Sequence, residues 1–175
     1  MKTIVIYKSR SGFTKQYATW IQEELCCDMT ELKKHDQSLL LSYDTIIYGA
    51  GLYAVGINGI SFIKDNFDKI KDKKIVVFTT GATPRRAHTI EEIKEANFTK
   101  EQQEHIRFFY LRGGFDFNKL SLLHKFMMML MKMKLKMKKD KDADVKGMLN
   151  AYAHPADFTN KKNINEIIDY VRQFS

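Results

Sequence analysis

A chain of 175 residues and 20.5 kDa has the size of one ordinary domain and is long enough to bury a sizeable core. Its composition, with 44% hydrophobic residues, 29% charged residues and 2 prolines, excludes a disordered, collagen-like or low-complexity chain. The net charge of +8 is concentrated, because residues 119–141 hold eight lysines and one aspartate. The sequence therefore predicts a near-neutral globular domain that carries one basic stretch.

Short apolar runs recur along the chain with helical patterns between them. The runs are rich in β-branched or aromatic residues and do not alternate with polar residues, which is typical of strands buried on both faces of a parallel sheet. They occupy residues 4–7, 45–48, 75–78 and 106–111. A weaker run at residues 27–32 predicts a strand at an edge of the sheet.

Apolar residues at helical spacing predict the helices between these strands. The first helix is expected over residues 14–25, a second around residues 60–67 and the last over residues 163–174. A capping-box pattern at residues 99–102 opens a short additional helix.

The alternation of strands and helices predicts an α/β fold with right-handed crossovers. The chain shows no internal repeat and no linker, so we expect a single domain over residues 1–175. One stretch breaks the alternation. Residues 116–146 follow the fifth strand and precede the last helix, and they predict an insertion within that domain.

A turn rich in hydroxyl groups follows the first strand, with the sequence Ser-Arg-Ser-Gly-Phe-Thr at residues 9–14 (the first loop). Ligands of open α/β sheets bind at the carboxyl ends of the strands. Here the hydroxyls, the backbone N–H groups and the N-terminus of the next helix together favour a phosphate. The loop lacks the Gly-Lys-Ser/Thr ending of nucleoside triphosphatases, so a phosphomonoester that is held rather than cleaved is expected. An N-capped helix without a ligand explains the same residues, and local chemistry leaves both interpretations open.

Two further strands end in glycine-rich segments, residues 49–54 (the second loop) and residues 79–83 (the third loop). The second loop matches a Gly-x-Gly-x-x-Ala dinucleotide pattern, which requires a second strand ending in an acidic residue about 20 positions further on. Asp65 and Asp68 fall in or near a helix instead, which argues against a dinucleotide. Tight turning alone would explain both loops, but their joint position after the third and fourth strands favours a binding site.

Residues 5–21, which span the first strand, the first loop and the next helix, resemble the flavodoxin signature with every constrained position filled. The resemblance implies a flavodoxin-like three-layer sandwich around a five-stranded parallel sheet of order 2-1-3-4-5. It also implies FMN as the cofactor, with the phosphate in the first loop and the flavin ring between the second and third loops. The cofactor-binding residues implied in this way are Ser9, Arg10, Ser11, Gly12, Phe13, Thr14, Gly51, Leu52, Tyr53, Ala54, Thr80, Gly81 and Ala82.

Flavin chemistry needs few side chains, because the isoalloxazine transfers the electrons and the protein tunes it by stacking, burial and hydrogen bonds. We therefore assign no catalytic residue. The histidines show no metal-binding spacing, so no metal site is expected. Arg85 and Arg86 follow the third loop and are interpreted as solvated surface charge, with contact to an anionic substrate as the alternative.

Residues 119–139 (the basic segment) combine leucine and methionine with lysine, all of them good helix formers. The first half is apolar on most sides, and the second half alternates lysine with methionine or leucine, which is not a clean helical stripe. One interpretation is a helix packed over the end of the sheet, with its lysines extending into solvent. The other is an interfacial element, with lysines toward anionic lipid and methionines toward acyl chains or a flat apolar ligand.

Residues 111–115 and 125–133 are similar to the region after the fifth strand in menaquinone-dependent protoporphyrinogen oxidases. That resemblance implies an FMN-dependent oxidoreductase that oxidises a reduced porphyrin ring and passes the electrons to a quinone or another acceptor. The alternative is a flavodoxin-type electron carrier without its own substrate. A pI of about 9.3 argues against it, because such carriers are typically acidic.

The expected partners are a redox partner or quinone, a porphyrinogen substrate and, through residues 119–139, an anionic membrane surface. No nucleic-acid partner is expected. The adjacent Cys26 and Cys27 cannot bridge without strain, so reduced cysteines and a cytoplasmic location are predicted. Peripheral attachment to the inner face of the membrane remains open. The longest Met-rich run is far shorter than a spanning helix requires, and the N-terminus lacks the long apolar region of a secretory signal.

Overall fold

A parallel sheet forms the centre of the fold in the computed structural model, which describes residues 1–33, 37–119, 122–137, 149, 152 and 155–173. The strands of the sheet are β1 (Thr3–Lys8), β2 (Asp28–Glu31), β3 (Thr45–Tyr53), β4 (Gly56–Ile57), β5 (Lys74–Gly81) and β6 (Ile106–Arg112). The spatial order is β2-β1-β3-β5-β6, with the two-residue β4 antiparallel to β3. Counting the five parallel strands alone, this is the predicted order 2-1-3-4-5, and the flavodoxin-like fold class is confirmed.

Helices cover both faces of the sheet and make the three layers. They are α1 (Phe13–Leu25), α2 (Gln37–Leu41), α3 (Ser61–Lys64), α4 (Phe67–Ile70), α5 (Ala87–Asn97), α6 (Lys100–His105), α7 (Leu122–Met137) and α8 (Asn165–Arg172). Buried side chains of α1 and α8 join the core on one face, and those of α2 to α5 join the core on the other. No helix in the described parts of the chain has the length and apolarity to cross a membrane.

Strand residues alternate between the two cores, which explains the continuous apolar runs in the sequence. Val5, Ile47 and Val76 face the layer of α1 and α8, and the residues on either side of each of them face the opposite layer. Because both faces are covered, every position of these strands is buried, as the sequence pattern predicts for a parallel sheet.

Two strands run further than the apolar runs predict, so part of the second and third loops is strand. The pairing of β3 with β5 continues through Gly49, opposite Phe78, to Gly51, opposite Thr80. A Cβ at position 49 would overlap the ring of Phe78, so glycine is needed there for the strands to stay paired. The polar and glycine residues that mark these loops in the sequence conceal the length of the strands.

The helix expected around residues 60–67 is wrong in its extent, because α3 and α4 are separate short helices. Asn66 causes the break. Its side-chain Nδ2 donates to the carbonyl of Phe62 at 2.8 Å, and the backbone N–H of Asn66 turns to Ile63 instead. A continuous helix would pair that N–H with Phe62, four residues earlier.

The sequence analysis places no helix at Ala87–Asn97, where α5 lies. Only Ile93 and Asn97 of that helix are buried, so its apolar pattern is too sparse to be recognised. The capping box is confirmed: Thr99 Oγ1 accepts from the N–H of Gln102, and Gln102 Oε1 accepts from the N–H of Thr99. The last helix begins at Asn165, after a 3₁₀ helix at Lys161–Ile164, and residue 174 lies outside the described residues.

A two-stranded antiparallel ladder stands at the root of the predicted insertion. It pairs β7 (Gly114–Phe115) with β8 (Ala156–Asp157), so the chain leaves the sheet after β6 and returns before α8. Between the two strands lie a 3₁₀ helix at Phe117–Lys119 and the helix α7. The insertion bounds 116–146 stay a prediction, because residues 120–121 and 138–146 are not among the described ones.

A single buried hydroxyl group joins α1 to the end of β6 and to the returning chain. Tyr17 Oη donates to the carbonyl of Arg112 at 2.7 Å. The same oxygen accepts from the backbone N–H of Asn160 at 3.1 Å and from Asn163 Nδ2 at 2.9 Å. Three distant parts of the chain therefore meet at one side chain that is fully buried.

The Tyr17→Phe variant removes all three bonds, and we expect the free energy of unfolding to fall by about 1–3 kcal/mol. Urea unfolding followed by circular dichroism measures the loss. Tyr7→Phe is the matched control, because Tyr7 is also buried and its hydroxyl makes none of the hydrogen bonds found among the described residues. Equal stability of the two variants would contradict the role given to the Tyr17 hydroxyl.

Candidate functional site

The first loop lies at the carboxyl end of β1 and opens onto α1. Gly12 has a φ of +96°, in the left-handed region that favours glycine, and its N–H donates to Ser9 Oγ at 3.2 Å. Gly12 occupies the N-cap position of α1, and no side chain of the described residues caps that helix. The first-turn N–H groups of α1, together with the hydroxyls of Ser9 and Ser11, form a set of donors suited to an anion.

The three loops meet at a pair of buried threonines. Thr14 Oγ1 in the first loop lies 2.7 Å from Thr80 Oγ1 in the third loop, and both side chains are buried. Gly51 of the second loop adjoins them, since a Cβ there would lie 3.8 Å and 3.9 Å from the two hydroxyl oxygens. The carboxyl ends of β1, β3 and β5 are thus fixed against one another by short polar contacts.

Side chains of the second loop lie on different sides of the backbone. Tyr53 carries the guanidinium of Arg10 over its ring, 5.3 Å from the centroid, so the first and second loops also meet there. Leu52 packs against the core instead, and only its backbone could reach a ligand. Ala54 has a φ of +53°, which turns the chain from β3 into β4.

A residue that the sequence analysis did not single out holds this turn. The side-chain amide of Asn97, buried at the end of α5, donates to the carbonyls of Val55 at 2.7 Å and Ile93 at 2.7 Å. Its Oδ1 accepts from the N–H of Ile57 at 2.9 Å. No pattern in the sequence pairs an asparagine of one helix with a turn some forty residues earlier.

The third loop is held from β6. Tyr110 Oη donates to the carbonyl of Thr83 at 2.7 Å, and Thr83 Oγ1 lies 2.9 Å from the same oxygen. Burial raises the pKa of Tyr110, so the phenol keeps its proton and remains a donor. Arg112 Nε donates to the carbonyl of Ala82 at 3.3 Å, while its guanidinium stacks on Phe158 at 3.8 Å from the ring centroid. None of these side chains was predicted to belong to the site.

The root of the insertion adjoins the same loops. The N–H of Gly113 donates to the carbonyl of Gly81 at 2.8 Å. Phe13 of the first loop packs on this segment, because a Cβ at Gly114 would lie 2.5 Å from the Phe13 ring. The Phe13 side chain therefore points to the ladder, and its backbone N–H is the group that could serve a ligand. The Gly-Gly pair after a strand was the available sequence signal for this close approach.

Arg85 lies outside this cluster of loops. Its guanidinium donates to the Glu166 carboxylate of α8 at 2.9 Å, and this hydrogen bond lowers the pKa of Glu166. That contact agrees with the interpretation of Arg85 as surface charge. A cavity of about 470 Å³ lies between α1 and α8, where Lys161, Lys162 and Arg172 line it, and it contains none of the predicted site residues.

Comparison with known proteins identifies the family. Residues 4–144 match the family described as the flavodoxin domain, and the chain belongs to that family. No curated protein is similar enough to the sequence to count as a match.

Solved structures resemble the fold at low sequence identity. The Trp repressor binding protein from Bacillus subtilis is 17% identical, with a TM-score of 0.49 over 64% of this chain and 83% of that chain. Oxidised flavodoxin 2 from Bacillus cereus is 20% identical, with a TM-score of 0.41 over 86% and 94% of the two chains. A flavoprotein in complex with FMN from Lactobacillus acidophilus is 19% identical, with a TM-score of 0.42 over 63% and 92%.

Membership of the flavodoxin family gives FMN as the cofactor, and the residues present fit it. The uncapped N-terminus of α1 and the hydroxyls beside it supply the neutral and partly positive donors that a phosphate monoester accepts from. Gly51 and Gly81 leave the ends of β3 and β5 without side chains, so a flat ring could approach the backbone there.

Replacing Ser9 and Thr14 together with alanine is expected to weaken FMN binding by about 100-fold or more. Each hydroxyl bonded to a phosphate contributes roughly 1.5–3 kcal/mol. Flavin fluorescence during titration of the apoprotein measures the dissociation constant. The control is Thr30→Ala with Ser42→Ala, since those hydroxyls lie 3.4 Å from backbone carbonyls outside the three loops. Unchanged affinity in the Ser9 and Thr14 variant, with the apoprotein folded, would refute the phosphate role of the first loop.

Proposed function

We propose that the protein is an FMN-dependent oxidoreductase of the protoporphyrinogen-oxidase type. It takes electrons from a reduced substrate of the porphyrinogen kind and delivers them to a quinone or another acceptor. FMN, when bound, supplies the two-electron redox chemistry, and the chain supplies binding, orientation and electrostatics. Each cycle removes two electrons and two protons from the reduced ring and converts one quinone to the quinol.

In this proposal the first loop holds the phosphate of FMN. The N–H groups from Arg10 to Thr14 and the hydroxyls of Ser9, Ser11 and Thr14 are the donors, and the Thr80 hydroxyl fixes that of Thr14. Gly51 to Ala54 and Thr80 to Ala82 border the flavin ring, with Tyr53 beside it. The guanidinium of Arg10 over the Tyr53 ring limits how far that tyrosine can turn away.

The single observation that carries the proposal is the hydrogen bond between the root of the insertion and the third loop. The N–H of Gly113 reaches the carbonyl of Gly81 at 2.8 Å, and two residues later the chain enters the segment that bears α7. A carrier that exchanges electrons by brief docking needs no such element beside its flavin. An element of this size beside the flavin loops suits an enzyme that must hold a substrate there.

The charge of the chain supports an enzyme over a carrier. The insertion contributes most of the net charge of +8, and it begins beside the candidate site. A porphyrinogen carries carboxylates, which a lysine-rich border attracts, and the attraction weakens as salt screens it.

The test is anaerobic turnover of the FMN-loaded protein with a porphyrinogen and a soluble quinone. Porphyrin fluorescence reports the oxidised product, and quinone absorbance reports the acceptor. We expect porphyrin to form together with quinol, and we expect the rate to depend on both reactants. The matched control is the Ser9→Ala and Thr14→Ala protein, which should lose turnover in proportion to the flavin that it loses.

Two outcomes would overturn the proposal. If the FMN-loaded protein, once reduced, passes electrons to a protein acceptor but never oxidises the porphyrinogen, it is an electron carrier. If the folded protein binds no FMN, both the enzyme and the carrier are excluded.

A further inference from the structure

Helix α7 carries a row of large apolar side chains exposed to solvent. Phe126 is 62% exposed, Leu130 47%, Met133 57% and Met137 80%. Their spacing of four, three and four residues places them on one side of the helix, and Met129, 58% exposed, borders them. We call these five residues the α7 face. The sequence analysis expected no clean stripe here, and that expectation was wrong because the lysines alternate with residues of two different helix faces.

The opposite side of α7 is fixed to the protein. Tyr152 Oη donates to the carbonyl of Met128 at 2.9 Å, and Lys132 Nζ lies 5.1 Å from the centre of the Tyr152 ring. That ring in turn packs against Phe115 in the ladder, with 5.4 Å between centroids. Burial raises the pKa of Tyr152, so its hydroxyl remains protonated and donates. These contacts turn the α7 face outward.

Positive charge flanks the α7 face on both sides. Helix α7 contains four lysines and no acidic residue. Lys134 and Lys136 are exposed, and at about 100° per residue they lie on the two borders of the row formed by Leu130 and Met133. The helix therefore presents apolar bulk with cations along its edges.

We propose that the α7 face docks flat on an anionic lipid bilayer. Apolar side chains bordered by lysines match the layered chemistry of such a surface, where acyl chains lie beneath negatively charged headgroups. A second copy of the chain would bring two lysine-rich helices together, and a nucleic acid would leave the apolar side chains in water. The proposal adds an interaction surface to the proposed function and stands without it, since lipid binding requires no turnover.

Docking would also place the candidate site close to the lipid. The ladder that carries α7 continues directly from the strand end that holds the third loop. A lipid-soluble acceptor would then reach the protein on the side where the flavin loops lie.

The test is co-sedimentation of the FMN-loaded protein with phosphatidylcholine vesicles, with and without phosphatidylglycerol. We expect binding to the vesicles that contain phosphatidylglycerol and a decline as salt rises. Leu130→Glu should reduce the partition coefficient by at least about tenfold, because it removes apolar burial and adds repulsion. Lys134→Gln with Lys136→Gln should reduce it by roughly 30-fold, at about a factor of five for each lysine near an anionic surface.

Matched variants elsewhere control for charge and folding. Leu41→Glu makes the same change at a leucine that is 60% exposed on α2, and Lys64→Gln with Lys69→Gln removes two exposed lysines of α3 and α4. Both should bind vesicles like the unchanged protein, and all variants should keep FMN.

Three results would overturn the proposal. One is equal loss in the α7 variants and their controls. Another is binding that does not depend on phosphatidylglycerol. The third is sedimentation equilibrium showing a dimer that Leu130→Glu dissociates, which would assign the face to a second copy.

Discussion

The candidate site depends on the contact between two buried threonine hydroxyls. Thr14 begins the first helix and Thr80 ends the fourth parallel strand, and a 2.7 Å separation between their oxygens fixes the two loops in one position. Buried hydroxyls must be paired, so this contact constrains where the loops can go. Gly51 completes the arrangement by offering no side chain that would push the loops apart. Without this contact the phosphate loop and the ring loops would be three separate turns rather than one cradle for a single ligand.

A second layer of contacts joins that cradle to the insertion. Tyr110, Arg112 and Gly113, near or just after the end of β6, bond to successive carbonyls of the third loop, and the chain continues from there into the ladder and α7. The fold thus places a basic, Met-rich helix on the same strand end as the flavin loops. This common origin connects the two proposals. The redox chemistry concerns the loops, the lipid contact concerns the outer face of α7, and the backbone between them is short and hydrogen-bonded.

The sequence was sufficient for the sheet but not for the contacts that shape the site. Runs such as residues 75–78 are buried on both faces, so their composition alone predicts a parallel sheet, and the first loop carries a signature recognisable from spacing. Asn97, Tyr110 and Arg112 were missed because each acts on a residue distant in sequence, and no local pattern encodes such a pair. The face of α7 was also missed, since lysine and methionine alternate in the sequence while the helix sorts them by its own period. Local periodicity predicts elements, whereas polar contacts between elements require the structure.

The account rests on one claim, that the carboxyl ends of β1, β3 and β5 form a single FMN site. Titrating the isotope-labelled apoprotein with FMN, while following every backbone amide by NMR, tests it most directly. We expect one-to-one binding, with the largest shifts at residues 10–14, 51–54 and 80–82 together. Shifts confined to the basic cavity between α1 and α8, around Lys161, Lys162 and Arg172, would contradict the claim, because FMN would then bind as an anion on the opposite side of the molecule from the ladder.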